Sequence, residues 1–188
     1  MKKSLKISAL LSLVLLAGFA FFSSVLADVS VTLGVTAGTL TYTTGSTLAL
    51  GNVNSSLTAT GYASGSFTTN SFSVTDAKGT GWNLQAQIGN ATAGSLTIAA
   101  TNFKIKDIGA AQPAFIQGDN TCGVTTALTT SYSNAFASSA INLLNKSNNG
   151  KVCKYGVTPN IEVTVPIAQG VGSYSATLTI TTTGGPRN

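Results

Sequence analysis

The chain contains no histidine, and that absence excludes more chemistry than any residue present suggests. Histidine is the commonest general base and the usual activator of a serine or cysteine nucleophile. Carboxylates are nearly as scarce: Asp28, Asp76, Asp107, Asp119 and Glu162 are the full set. A glycosidase-type pair needs two of them facing one cleft, whereas Asp76, Asp107 and Asp119 fall in turn contexts and Glu162 on the outward side of an alternating segment. A calcium site from two turn aspartates and a Ser–Lys dyad are the minor alternatives. The chain reads as a non-enzyme that takes no cofactor. With only two cysteines, Cys122 and Cys153, and no histidine, a four-ligand zinc site cannot be assembled.

Charge is also sparse, and three of the charges behind the net +5 sit at one end. Lys2, Lys3 and Lys6 precede an apolar run over residues 7–22, and Val25-Leu26-Ala27 follows. That is the layout of a secretory signal peptide with cleavage after Ala27; the run is short for a retained anchor. Residues 28–188 then form one domain, large enough for a substantial core, with a net charge near +2. Lys146, Lys151 and Lys154 make a mild basic cluster, read as a solvated edge. No nucleic-acid partner is indicated, and no membrane anchor after leader removal. In an oxidising compartment Cys122 and Cys153 pair by default. Closing that loop is worth about 3–4 kcal/mol in the chain-entropy model.

What the chain does have is threonine, serine, glycine and asparagine around short pieces of period-two alternation. Val29, Val31, Leu33 and Val35 alternate, as do Phe72 and Val74, then Trp82, Leu84, Ala86 and Ile88. Phe103 and Ile105, then Ile161, Val163 and Val165, continue the pattern, and Tyr174, Ala176, Leu178 and Ile180 close it. Such spacing with turn signals between the pieces predicts an all-β chain: a single β-sandwich of the Ig-like or Greek-key type with eight to eleven short strands. An up-and-down barrel is the alternative. The first and last alternating segments, residues 29–35 and 174–182, are expected to be neighbours. A short helix over residues 134–144 competes with a strand there, because Phe136, Ala140, Ile141 and Leu144 share a helical face. Asn149-Gly150 predicts a two-residue hairpin turn. In the run 76–81, Asp76 is expected to accept backbone hydrogen bonds while Gly79 and Gly81 take left-handed conformations.

Trp82 is the only tryptophan. Alternate residues of a strand share a face, so Trp82, Leu84, Ala86 and Ile88 make one apolar side, with Asn83, Gln85 and Gln87 on the other. A face that uniform points inward, and Trp82 is expected to be a core residue. The rival is an exposed ring that stacks on sugar or on a partner chain.

The run VTDAKGTGWNL, residues 74–84, resembles the first motif of the WxL-domain cell-surface proteins of Gram-positive bacteria, in which a D-x-x-G-T-G-x-G-W turn precedes W-x-L. The tail resembles that family's closing motif, Y-x-x-x-L-T-W-x-L-x-x-x-P: Tyr174, Leu178, Thr179 and Pro186 fall at matching offsets. Ile180 stands where the second tryptophan belongs and Thr182 where its leucine belongs. The resemblance runs from residue 36 to the end. It implies a secreted, non-catalytic protein of the cell surface that attaches non-covalently to cell-wall peptidoglycan, beside companion surface proteins. Trp82, Leu84, Tyr174 and Leu178 would then be the binding motif, and one intact W-x-L out of two implies weak affinity. The alternative function is a structural subunit, self-associating through β-strand edges into a filament or surface layer.

Overall fold

The computed structural model describes Leu33, Val35 and residues 38–45, 47–132, 134–136 and 139–184. The leader at 1–27, most of the first alternating segment at 29–35, and Pro186 lie outside the described residues. All described positions from Gly38 onward belong to one unit, Thr36–Asn188. Its strands are β1 (Leu40–Thr43), β2 (Gly61–Ser66), β3 (Phe72–Asp76), β4 (Trp82–Ile88), β5 (Ala91–Ala93), β6 (Leu96–Ile98), β7 (Phe103–Asp107), β8 (Ala114–Gly118), β9 (Asn134–Ala135), β10 (Ile141–Lys146), β11 (Cys153–Val157), β12 (Pro159–Val165) and β13 (Leu178–Gly184). Thirteen strands form where eight to eleven were anticipated, the excess coming from β5, β6 and β9, each of three residues or fewer. One 3-10 turn, Ala100–Asn102, is the only helical element among the described residues.

All strand pairs are antiparallel, in three main sheets ordered β1-β3-β11-β8, β10-β4-β13 and β2-β12-β7-β9, with β5-β6 as a separate ribbon. The architecture is all-β and sandwich-like. The period-two pattern explains why: Trp82, Leu84, Ala86 and Ile88 of β4 join Phe72, Val74, Phe103, Ile105, Leu144, Val157 and Ile161 in one buried cluster. The chain passes from the first sheet to the third through a single residue, Thr158, which lies between β11 and β12. Asp107 holds that corner by accepting the Thr158 N–H at 3.0 Å, and Ile108 N–H donates to the Thr158 carbonyl at 3.0 Å. The Cys122–Cys153 disulfide forms as expected and ties β11 to the loop after β8.

Several local expectations are corrected. The helical face at 134–144 is not used; β9 and β10 occupy that stretch, because Ile141, Leu144 and Lys146 pair with Ala86, Leu84 and Trp82 of β4. The pairing has a register shift between Asn142 and Leu144. Asn149-Gly150 does not make a hairpin. Only Gly150 has positive φ, at 72°, and the strands on either side belong to different sheets. The last alternating segment starts late: Ser175 makes an isolated bridge to Thr92, and the strand begins at Leu178.

Candidate functional site

Asp76 ends β3 and Trp82 begins β4, so the run between them turns the chain from one sheet to the next. Asp76 does what its sequence context predicts: Oδ1 accepts the N–H groups of Lys78 and Gly79, both at 2.9 Å. Its second oxygen was not foreseen. Oδ2 accepts the Trp82 indole Nε1–H at 3.2 Å and lies 3.0 Å from the Lys146 Nζ, with both charged side chains fully buried. Lys146 also donates to the Thr80 carbonyl at 3.1 Å. Four donors therefore converge on one carboxylate and leave it no free lone pair for general-base or metal chemistry.

Asp76, Asp107 and Asp119 all sit where strands give way to turns, as their sequence contexts indicate, but they differ in burial. Asp76 and Asp107 are buried, at 1% and 0% exposure. Asp107 Oδ1 is taken by Gly109 and Thr158 N–H groups, while its Oδ2 has no partner among the described residues. No group of three metal-ligating side chains gathers among the described residues. Asp119 remains in an exposed loop. There the Thr121 hydroxyl and N–H, and then Lys151, hold its carboxyl below the usual range.

Lys146 is the residue that sequence reasoning placed wrongly: it is 2% exposed, not part of a solvated basic edge. The available signal was parity. Lys146 follows Leu144 by two positions, and the pair sits opposite Trp82 and Leu84, so a lysine at that position points to the core. Its charge is tolerated because Asp76 is already there.

Glycine is required twice around this clamp. Gly79 has φ 73°, and a Cβ there would lie 2.6 Å from the Gly150 carbonyl oxygen. The two turns lock together through the Gly150 N–H to Gly79 carbonyl bond at 2.9 Å. Gly81 does not take the left-handed conformation expected of it; it is needed for close approach, since a Cβ would meet the Asn148 nitrogen at 3.0 Å.

Trp82 is 3% exposed and Leu84 is fully buried, so the aromatic platform is absent at this position and the core assignment stands. The opposite face of β4 is not free either: Asn83 and Gln85 both donate side-chain N–H groups to Asn142 Oδ1, at 2.9 and 2.8 Å. The remaining motif positions lie on the neighbouring strand. In β13, Thr182 sits opposite Leu84, Ile180 opposite Ala86 and Leu178 opposite Ile88. The intact W-x-L and its degenerate counterpart are thus adjacent antiparallel strands. Tyr174 is not part of that pairing; its hydroxyl donates to the Gly170 carbonyl and accepts from Gln169 Nε2, both at 2.6 Å, and so pins the loop before β13.

Two concavities flank these strands. A hollow of about 230 Å³ beside Trp82 and Lys146 is lined by polar groups such as Asn83, Asn148 and Thr183. It is smaller than the roughly 300–1,000 Å³ typical of ligand pockets. The other is an open groove of about 1560 Å³, bordered by Ile88, Phe103, Ile161, Val163, Leu178 and Ile180, and covered in part by residues 47–54. No protein-family model matches this chain, and no curated protein sequence matches it.

Proposed function

We propose that the chain is a secreted, non-catalytic structural subunit of the cell surface, assembled through β-strand edges. The observation that carries this reading is β13. Among the described residues it pairs with β4 alone, its outward side chains are the exposed Thr179, Thr181 and Thr183, and its inward side chains Leu178 and Ile180 border a groove of mixed polar and apolar lining. An unpaired strand edge beside uncovered core is a template for another strand. No charge on β13 opposes such pairing. Negative-stain electron microscopy and light scattering on the secreted protein test it. Ordered polymers are expected, and a protein that stays monomeric at high concentration overturns it.

Non-covalent attachment to peptidoglycan is the second reading, supported by the adjacency of the two motif strands. The burial of Trp82 argues against that residue as the contact. Sedimentation with purified cell-wall sacculi measures it. Replacing Ile180→Trp and Thr182→Leu restores the second motif of the family it resembles, and strengthens sedimentation if this reading holds. Companion surface proteins would be retained on the same sacculi.

A further inference from the structure

The groove runs along an edge whose chemistry can be read atom by atom. Gly89 N–H donates to the Thr177 carbonyl at 3.1 Å, and the pairing register continues through Leu178↔Ile88 to Gly184↔Trp82. In an antiparallel pair each residue directs both its N–H and its C=O to the same side, and the sides alternate. Residues 177, 179, 181 and 183 therefore bond to β4. Leu178, Ile180 and Thr182 turn their N–H and C=O groups to the free edge, and turn their side chains inward. The same three residues offer both a ladder and the wall of the groove.

The segment that covers the groove is weakly held. No backbone hydrogen bond joins residues 47–54 to another described residue; Leu48 and Leu50 simply pack against the core. It lies instead over β2, where Gly65 has no side chain and a Cβ would meet the Ala49 carbonyl oxygen at 2.7 Å. The β13 side is left without a strand. A cavity larger and longer than a small-molecule pocket, with a ladder of unpaired backbone along one wall, fits an extended peptide.

This chain carries such a peptide. Residues 28–36 read DVSVTLGVT, with Val29, Val31, Leu33 and Val35 on one face of a strand and Ser30, Thr32 and Thr36 on the other. Leu33 and Val35 are 86% and 87% exposed, so their aliphatic surface is not covered by the described residues. The unit itself begins at the Trp82 end: Gly38 and Thr39 bond to Ala77, just past β3.

We propose that residues 28–36 of one copy enter the groove of the next as a donated strand, pairing with the free edge of β13 and burying Val29, Val31, Leu33 and Val35 against Leu178 and Ile180. Donor and acceptor are different surfaces of the same chain, so the contact is heterologous, and where it does not close into a ring it builds a filament. This rests on the strand-edge reading above and specifies its donor and acceptor.

The test uses the secreted protein and two variants. Val31→Asp/Leu33→Asp leaves the groove intact but puts two charges on the donor face. Thr182→Pro removes one N–H from the free edge, where proline is tolerated because no β4 bond is lost. Each variant alone is expected to be monomeric by light scattering, with melting transitions that remain cooperative, and a mixture is expected to give one-to-one dimers and nothing longer. A fluorescent peptide of residues 28–36 binds the Val31→Asp/Leu33→Asp monomer, and the peptide with the same two aspartates binds about a hundredfold or more weakly, as loss of two buried aliphatic side chains entails. If the wild type forms filaments and Val31→Asp/Leu33→Asp forms them equally well, the donor assignment is overturned while the strand-edge reading survives. If the wild type is monomeric and the peptide binds no form of the protein, both fall.

Discussion

Replacing Lys146→Met removes one charge from the buried clamp and keeps nearly the same side-chain length, so little cavity is created. Asp76 is left buried without its counter-charge, and removing one partner of a buried pair costs about 3–5 kcal/mol. The Trp82 indole and the Lys78 and Gly79 N–H groups still reach the carboxylate, which places the cost at the lower end, about 3 kcal/mol. For a chain of this size 1 kcal/mol moves the melting temperature by about 2–4 °C, so the fall is about 6–12 °C. Urea melts give the free energy directly, and an m-value equal to that of wild type shows that the folded and unfolded states are otherwise unchanged. Asp76→Asn, alone and with Lys146→Met, completes a cycle whose coupling energy is about 1–3 kcal/mol for residues in direct contact. A Lys146→Met protein within about 1 kcal/mol of wild type would refute the reasoning, because a side chain with no exposure cannot lose a real ion pair so cheaply.

Trp82→Ala is expected to cost about 3–5 kcal/mol, and Trp82→Phe about 1.5–3 kcal/mol through the lost bond to Asp76; equal stability with lost sacculus binding would return Trp82 to the surface. Gly79→Ala introduces a Cβ at positive φ, a cost of about 1–2 kcal/mol before the clash with Gly150 is added; thermal melts read it, and an unchanged melting temperature would mean the two turns do not interlock. Reducing the Cys122–Cys153 bond lowers stability by about 3–4 kcal/mol, seen as a lower urea midpoint in reductant and absent in a Cys122→Ala/Cys153→Ala protein, whose midpoint no longer responds to reductant. Asp119 has a folded pKa below the ordinary 3.8, so its contribution is present above that value and is lost as pH falls through the lowered one; Asp119→Asn is expected to lower neutral stability by that small, solvent-screened contribution and to converge with wild type in acid melts, and a variant whose gap to wild type is independent of pH would refute it.

Most of the fold was legible because period-two spacing is nearly independent of what the strand packs against. Trp82, Leu84, Ala86 and Ile88 had to share a face whichever sheet received them, and a single large aromatic on that face had to go inward. The Asp76 turn was legible for a similar reason: carboxylate-to-backbone bonding two and three residues on is purely local. What failed was partner choice. Asn149-Gly150 has hairpin chemistry, but β10 is claimed by β4 and β11 by β3 and β8, and no local signal states which sheet a strand joins. At 134–144 the spacing fitted a helix and a strand alike, and pairing of β10 with β4 selected the strand. Lys146 was misread because charge is treated as a surface mark until a buried partner is known, and Asp76 lies seventy positions earlier in the chain. The groove could not be read at all, since it lies beside an edge that no strand among the described residues pairs with.

The central strand of the β10-β4-β13 sheet comes from the first half of the chain, and both of its neighbours come from the second. A polypeptide made N-terminus first therefore has β4 before either of its neighbours, with Asp76 still waiting for its lysine. β10 arrives first and brings the counter-charge; β13 arrives last of all. The strand that completes this sheet is thus the last of the three to be made, and any chain halted or clipped before Leu178 would leave β4 bare along one flank and be recognisable as unfinished to whatever removes such chains.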